Sequence, residues 1–250
     1  MQPLGSRPPA MAERMLGRRP GRMAGRAPTR LAAGPGGVLM EDVSAGYGRT
    51  TVLRSVGLAA VPGETFVVSG PSGAGKTTLL RVLYCALRAS AGSVTVDGVH
   101  VTGLPARRVP RLRRRLGFVF QSYELLPHLT ALENVRLPLD LAHMRVTAPG
   151  DAAMAALELV ALGGKAESRP HELSGGQQQR VAIARAIAHT PAVLLADEPT
   201  GNLDSESQRG VMAALAAYTR RGGTLILCTH DEQLRRRWAD STLALPGRPA

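Results

Sequence analysis

The chain of 250 residues is 44% hydrophobic and has a mean hydropathy of −0.03, which is typical of a globular protein with a sizeable core. It contains no run of about 18 apolar residues, and this excludes a membrane-spanning helix of its own. The two cysteines, Cys85 and Cys228, are too few for a disulfide framework and favour a reducing, cytosolic setting. The net charge of +12 is compatible with an anionic partner such as nucleic acid or an anionic membrane.

The first 37 residues carry half of that charge. Residues 1–37 contain seven arginines and one glutamate, together with six prolines and seven glycines. Such a composition buries too little apolar surface to offset the entropy of ordering the chain, so we expect a disordered tail. It lacks the apolar segment of a signal peptide. Two interpretations are open. One is a basic arm for lipid or nucleic acid, and the other, which is simpler, is a solvated tail or a start codon placed too far upstream.

From Val38 onward, apolar runs alternate with helical patterns. The runs predict strands at 38–43, 65–69, 94–96, 116–120, 193–196 and 224–228. Helices are predicted at 77–87 and 174–188. The pattern is also helical between 124 and 172, with breaks at Pro127, Pro138, Pro149 and 163–164. This alternation predicts a mainly parallel sheet with helices on both faces.

A glycine-rich loop between a predicted strand and a predicted helix carries the strongest chemical signal. It fits G-x-x-x-x-G-K-[ST], whose backbone N–H groups and following helix N-terminus bind phosphate oxygens. Lys76 would reach the terminal phosphates, and the Thr77 hydroxyl would ligate Mg²⁺. Lys76 is one of two lysines beside 29 arginines, which suggests that the bulkier arginine fork would not fit. The candidate residues are Gly70, Pro71, Ser72, Gly73, Ala74, Gly75, Lys76, Thr77 and Thr78.

Two adjacent carboxylates, Asp197 and Glu198, follow the strand predicted at 193–196. Ligands of open α/β sheets bind at the C-terminal ends of the strands, and adjacent strand residues point to opposite sides. We therefore expect Asp197 to hold Mg²⁺ and Glu198 to orient or deprotonate an attacking water. Pro199 predicts an extended backbone at Glu198.

A second glycine-rich helix start comprises Leu173, Ser174, Gly175, Gly176 and Gln177. Ser174 and Gln177 have the spacing of a capping box, and the free N–H groups form an anion site. This LSGGQ sequence, with the phosphate loop and the acid pair, resembles the ATP-binding subunit of ABC transporters over about residues 38–245. The resemblance implies an α/β P-loop NTPase fold with a mainly parallel core sheet and an N-terminal antiparallel β part. It also implies an inserted α-helical subdomain at about 124–190 and a short tail at 246–250.

Four further residues match the family pattern. Tyr47 resembles the aromatic residue that stacks on adenine, and Gln121 resembles the glutamine that contacts the Mg²⁺ shell and senses the membrane partner. Asp204, in the sequence Asn-Leu-Asp, resembles the aspartate of the family loop that crosses to a second subunit. His230 resembles the histidine that contacts the γ-phosphate, so the implied catalytic set is Glu198, His230 and Gln121. The stretches at 121–135, 137–139 and 196–204 resemble the lipoprotein-release and macrolide-export subgroup.

The resemblance implies an ATPase that works as a head-to-tail pair, because the chain has one phosphate loop and one LSGGQ segment, the family's signature sequence. Two ATP molecules, with Mg²⁺, would lie between two nucleotide-binding subunits, and a homodimer is the simplest pair. Closure would drive a membrane permease from the inner face of the membrane, in export or extraction of a lipoprotein, drug or peptide.

Two alternatives to this function remain. One is a regulatory ATPase that moves a membrane partner without transport, and the other is an ABC ATPase that acts on nucleic acid. Lys76 and Ser174 are only 98 positions apart, which leaves no room for the coiled-coil insertion of DNA-repair members. No nucleic-acid partner is therefore expected, and the arginines at 107–115 and 235–237 are expected on solvated helix faces.

Overall fold

The structure is a computed structural model that describes residues 31–141 and 147–247. Its strands are β1 (Val38–Tyr47), β2 (Thr50–Ala60), β3 (Thr65–Ser69), β4 (Ala91–Val96), β5 (Val99–His100), β6 (Leu116–Val119), β7 (Val193–Asp197), β8 (Thr224–Thr229) and β9 (Ser241–Ala244). Its α-helices are α1 (Lys76–Leu83), α2 (Val109–Arg113), α3 (Ala131–Leu141), α4 (Pro149–Leu159), α5 (Gly175–Ile187), α6 (Ser205–Arg220) and α7 (Glu232–Trp238).

Five strands form a parallel sheet in the order β6-β7-β8-β3-β9. Phe66 and Val68 of β3 pack with α1 and the antiparallel strands, whereas Val67 packs on the opposite side with α3 to α6. This alternation follows from the two-residue period of a strand. Every residue of β3, β7 and β8 is buried, as expected for strands covered on both faces. The predicted parallel sheet is confirmed, and its strands deliver their C-terminal ends to one edge.

A second, antiparallel sheet has the order β2-β1-β4-β5 and forms the expected N-terminal β part. No strand was predicted at β2, whose residues do not alternate regularly between buried and exposed positions. The pairing of β1 with β2 contains register shifts, and Ser55 has a left-handed φ of 48°. Such irregularities break the period-two pattern on which strand prediction depends. The short strands β5 and β9 were also not predicted.

Helices α3, α4 and α5 lie inside the predicted helical region at 124–190 and share one core around Val135, Leu157 and Ile183. The predicted break at Pro138 is wrong, because Pro138 lies inside α3. Proline removes one intrahelical hydrogen bond, but Val135 and Leu139 beside it are buried, and this packing outweighs the loss. Pro149 begins α4, where a missing N–H is tolerated.

The predicted tail boundary at residue 37 requires correction. Ala32 is fully buried. The Gly36 N–H donates to the Asp97 carboxylate at 2.7 Å, and the Gly36 carbonyl accepts from the Thr224 hydroxyl at 2.6 Å. Residues 31–37 are therefore folded onto the domain through backbone hydrogen bonds, which a count of apolar residues does not reveal. Residues 1–30, the rest of the predicted tail, lie outside the described residues.

Helix α1 ends at Leu83, four residues earlier than predicted, because Cys85 has a left-handed φ of 56° that no continuing helix can adopt. The solvated face expected for the arginines at 107–115 is confirmed only in part. Five of the six are exposed, but Arg113 is half-buried and donates to the carbonyls of Tyr84 and Cys85, and Arg115 pairs with the Asp97 carboxylate. Helix α7 contains no buried residue. Within the two described ranges, no helix combines the length and the apolar character needed to cross a bilayer.

Candidate functional site

The glycine-rich loop connects β3 to α1 and depends on backbone angles that favour glycine. Gly70, Gly73 and Gly75 have φ values of 154°, 80° and 105°. A Cβ on Gly70 would lie 2.7 Å from the carbonyl oxygen of Leu245, whose N–H donates to the Ser69 carbonyl at 2.7 Å. Helix α1 has no side-chain cap at its N-terminus, so its first N–H groups are available to an anion.

Lys76, at the first residue of α1, is the cation at the centre of the loop. It is 5% exposed, and its Nζ donates to the carbonyls of Gly70 at 2.8 Å and Pro71 at 3.1 Å. The same Nζ lies 3.1 Å from Oε1 of Glu198, and Oε2 of Glu198 lies 2.9 Å from Nδ1 of His230. A chain of side-chain contacts from Lys76 through Glu198 to His230 therefore joins α1 to the residues that follow β7 and β8.

Asp197 is the last residue of β7 and is buried. The Oδ1 atom of its carboxylate is buried without a hydrogen-bond partner among the described residues. Burial raises the pKa of this carboxyl and the Glu198 charge adds to that effect, whereas the Thr77 hydroxyl and the Lys76 charge partly oppose it. An unpartnered carboxylate oxygen beside a hydroxyl fits the preference of Mg²⁺ for oxygen ligands.

The backbone at Glu198 corrects one prediction. Pro199 predicts an extended conformation, but Glu198 has a left-handed φ of 43°. Its N–H donates to the Cys228 carbonyl at 2.9 Å, and its carbonyl accepts from the Gly201 N–H at 3.0 Å. These tertiary and turn hydrogen bonds stabilise a conformation that the local preference before proline disfavours. The turn directs the Glu198 carboxylate toward Lys76.

Lys76, Thr77 and Glu198 border a cleft of about 370 Å³, whereas Asp197 and His230 are not among the described residues that line it. The lining residues are Tyr47, Val52, Ser72, Gly73, Gly75, Lys76, Thr77, Thr78, Gln121 and Glu198. Tyr47 is 44% exposed, and its hydroxyl accepts from Nη1 of Arg81 at 3.1 Å. Two residues on this side of the cleft do not follow from the sequence motifs: Val52, which lies on β2, and Arg81, which contacts Tyr47. Arg81 stands four residues after Thr77, on the same face of α1, and this spacing could have identified it.

The LSGGQ segment does not line that cleft in the part of the chain that the structure describes. Ser174 is the N-cap of α5. Its Oγ accepts from the Gln177 N–H at 3.3 Å, and Oε1 of Gln177 accepts from the Ser174 N–H at 2.9 Å. The predicted capping box is therefore confirmed.

Asp204 lies beside the LSGGQ segment, not in the cleft. It caps α6 and accepts hydrogen bonds from the N–H and the hydroxyl of Ser207, which lower the pKa of its carboxyl. A Cβ on Gly176 would lie 2.4 Å from the Ser207 side chain. The absence of a side chain at Gly176 therefore lets the two capped helix starts, those of α5 and α6, pack together.

The parallel sheet, the glycine loop before α1 and the paired carboxylates after β7 define a P-loop nucleotide-binding domain. Residues 53–201 match the family model described as ABC transporter, which is more than half of the chain. The chain therefore belongs to the ABC transporter family, and the resemblance carried by the motifs is confirmed.

Solved structures confirm the fold. The dimeric structure of MJ0796, a bacterial ABC transporter cassette, has a TM-score of 0.74 and 36% identity, over 84% of this chain and 94% of that one. A post-hydrolysis state of the same cassette bound to ADP and Pi has a TM-score of 0.73 and 36% identity, over 83% of this chain and 94% of that one.

Curated relatives include proteins with different names. The cell division ATP-binding protein FtsE of Mycobacterium tuberculosis is 46% identical over 153 residues, which is 61% of this chain and 66% of FtsE. The macrolide export ATP-binding/permease protein MacB of Burkholderia pseudomallei is 47% identical over 154 residues, which is 61% of this chain and 24% of MacB. The matched segment thus spans less than two thirds of either relative.

Proposed function

We propose that this chain is the ATP-hydrolysing subunit of an ABC transporter. The observation that carries the proposal is the chain of side-chain contacts from Lys76 through Glu198 to His230, which closes the phosphate-binding loop from the side of β7 and β8. This arrangement brings a phosphate-binding cation and a carboxylate base into contact at one cleft. Family membership and the likeness to a cassette bound to ADP and Pi support the assignment.

ATP would bind with its adenine against Tyr47 and its phosphates in the glycine loop. The loop N–H groups and Lys76 would hold the phosphates, and Val52 and Arg81 would support the Tyr47 side. Arg81 hydrogen-bonds the Tyr47 hydroxyl and would thereby fix the ring for stacking. Thr78, which also lines the cleft, would contribute its hydroxyl.

Mg²⁺ would be held by the Thr77 hydroxyl and the Asp197 carboxylate, with the Gln121 amide at the edge of its shell. The buried and unpartnered Oδ1 of Asp197 supports this assignment. When bound, the cation would neutralise charge on the phosphate oxygens.

Glu198 would act as the general base. In the structure, its two oxygens are engaged by Lys76 and His230. Phosphates in the loop would draw Lys76 to themselves and leave the Glu198 carboxylate free to accept a proton from the attacking water. His230, which remains within hydrogen-bond distance of Glu198, would orient the carboxylate and contact the γ-phosphate.

A working site would require two copies of the chain. Ser174 caps a helix start outside the Lys76 cleft, so the signature of one copy would complete the cleft of another, with Asp204 near the contact. The dimeric form of the MJ0796 cassette, which is 36% identical, supports this pairing. The pair would enclose two ATP molecules, and their hydrolysis would proceed by positioning and charge stabilisation.

The pair would act on an integral membrane permease from the cytoplasmic face, through the Gln121 loop and helices α3 to α5. Export or extraction of a lipoprotein, drug or peptide is the leading activity, and MacB, named for macrolide export and 47% identical, supports it. A regulatory ATPase that acts on a membrane partner without transport is the alternative, and FtsE, named for cell division and 46% identical, favours it.

Replacement of Glu198 by Gln tests the assignment. Glu198→Gln is expected to lower ATP turnover by at least about 100-fold, to preserve ATP binding and to trap an ATP-dependent dimer in size-exclusion chromatography. Lys76→Ala should instead weaken ATP binding. Glu158→Gln, at an exposed position on α4, is the matched control and should turn over ATP normally. Normal turnover by Glu198→Gln would refute the assignment of the base.

A further inference from the structure

The loop at residues 120–130, which joins β6 to α3, is fixed to the signature helix α5 by one arginine. Nη1 of Arg185 donates to the Glu124 carbonyl at 2.5 Å, and Nη2 donates to the Tyr123 carbonyl at 3.0 Å. The planar guanidinium fork thus holds two consecutive carbonyls, a geometry that a lysine ammonium cannot reproduce.

The Tyr123 side chain of the same loop approaches the start of α5. Its Oη lies 2.8 Å from the position that a Cβ would take on Gly175, the first residue of α5. Arg185 lies ten positions further along this helix, about 15 Å at 1.5 Å per residue. The loop at Tyr123 and Glu124 therefore contacts α5 at two separate places, by hydrogen bonds from Arg185 and by the close approach of the Tyr123 side chain to Gly175.

The end of the loop is fixed by a buried amide of α3. Asn134 is 1% exposed, and its Oδ1 accepts from the Leu126 N–H at 2.8 Å. Its Nδ2 donates to the carbonyls of Leu126, Leu129 and Thr130 at 2.9 to 3.2 Å. Only Ser122 separates Gln121 from Tyr123 and Glu124, whose carbonyls Arg185 holds, so the position of Gln121 depends closely on that anchor.

We propose that Arg185 is a positioning residue for Gln121. By holding the loop to α5, Arg185 makes Gln121 move together with Ser174, which caps the same helix. The inference rests on the proposed function, in which Gln121 serves the cleft of its own copy and Ser174 completes the cleft of the other. Arg185 thus links the two ATP sites of a pair without touching either nucleotide.

Arg185→Met, compared with Arg180→Met in the full-length chain, tests this role. Arg180 lies on the same helix, is also partly buried, and donates from Nη1 to the Val160 carbonyl at 3.2 Å, away from the loop. Steady-state ATP hydrolysis should show kcat lowered at least about tenfold in Arg185→Met, with KM for ATP within about twofold. Arg180→Met should keep kcat within about twofold. Wild-type kcat in Arg185→Met would overturn the proposal.

A double-mutant cycle with Gln121→Ala separates positioning from general damage to the fold. If Arg185 acts through Gln121, Arg185→Met should lower kcat less than about twofold further in the Gln121→Ala background. If the double mutant instead lost kcat by the product of the two single-mutant factors, the proposal would be overturned. Should Arg185→Met fail to fold, Arg185→Lys, which offers fewer and differently placed donors, should give a smaller loss of about threefold with the same non-additivity. Unchanged kcat in that variant would count against the role.

Hydrogen exchange gives a readout that does not depend on activity. Backbone amides at 122–126 should exchange at least about tenfold faster in nucleotide-free Arg185→Met than in the wild type or in Arg180→Met. Equal exchange rates in Arg185→Met and the wild type would show that Arg185 does not hold the loop, even if the variant were active. A wild-type chain that failed to hydrolyse ATP would refute the proposed function, while the exchange result would still decide whether Arg185 holds the loop.

Discussion

Gly176→Ala is expected to separate the starts of α5 and α6. A Cβ at this position would lie 2.4 Å from both Cβ and Oγ of Ser207 and 3.2 Å from its Cα. Carbon atoms attract each other best at about 3.5–4.0 Å, so one of the helix starts must move by about 1 Å. The Ser207 backbone cannot rotate out of the way as a flexible side chain could. Overpacking of this kind costs about 1–3 kcal/mol.

A matched substitution isolates that clash. Gly150 occupies the second position of α4, as Gly176 does in α5, and a Cβ on Gly150 would meet nothing within 4 Å. Both substitutions therefore gain the same helix propensity, and their difference reports the contact with Ser207. Urea unfolding should place Gly176→Ala about 1–3 kcal/mol below Gly150→Ala. Its ATP hydrolysis should fall as well, because Ser174 and Asp204 are displaced together.

Removal of the Ser207 side chain should restore part of the stability that Gly176→Ala loses. Ser207→Gly alone loses the hydroxyl hydrogen bond to Asp204 at 2.7 Å and should be destabilising. In the Gly176→Ala background it removes the two 2.4 Å contacts, so the double mutant should be more stable than the sum of the single losses predicts. Strict additivity, or equal stability of Gly176→Ala and Gly150→Ala, would refute the packing argument.

The remaining predictions concern stability. Tyr218→Phe deletes the hydroxyl that donates to the Pro191 carbonyl at 2.9 Å, and urea unfolding should show a loss of about 1–2 kcal/mol; unchanged stability would mean that this bond contributes nothing. His189 has a buried Nε2 without a partner among the described residues, and burial lowers its pKa from the ordinary 6.5. The unfolded chain therefore binds more protons than the folded one below about pH 6.5, and stability falls as the pH falls through that range. His189→Gln should flatten this pH dependence by up to about 1.4 kcal/mol per pH unit, whereas His128→Gln, at an exposed position, should leave it unchanged.

Local sequence features predicted the glycine loop and the capping box well. The bend at Gly73 and the cap at Ser174 depend on residues a few positions away in the chain, so a short window contains their causes. The buried strands β3, β7 and β8 were predicted for a similar reason, since complete burial leaves an uninterrupted apolar run.

Features that depend on distant partners were missed. Glu198 takes its left-handed angle with the Cys228 carbonyl as partner, and no local rule includes a residue 30 positions away. The fold of residues 31–37 depends on Asp97 and Thr224 in the same way. Strand β2 was missed because its register shifts hide the alternation. The errors at Glu198 and at residues 31–37 share one cause, the precedence of tertiary hydrogen bonds over short-range preferences.

The close approach of the Leu245 carbonyl to Gly70 means that two independent requirements select glycine at this position. One is the loop conformation that binds phosphate, and the other is the space taken by the carbonyl. Even a chain that never met a nucleotide would need a glycine there, because the carbonyl beyond β9 occupies the space of a Cβ. Gly73 differs, since a Cβ there would meet nothing within 4 Å and only its backbone angle is demanding. In a saturation mutagenesis survey, substitutions at Gly70 should therefore be depleted by a selection for folded protein alone. The glycine at position 70 is therefore required by the packing of the chain that follows β9 as well as by phosphate binding.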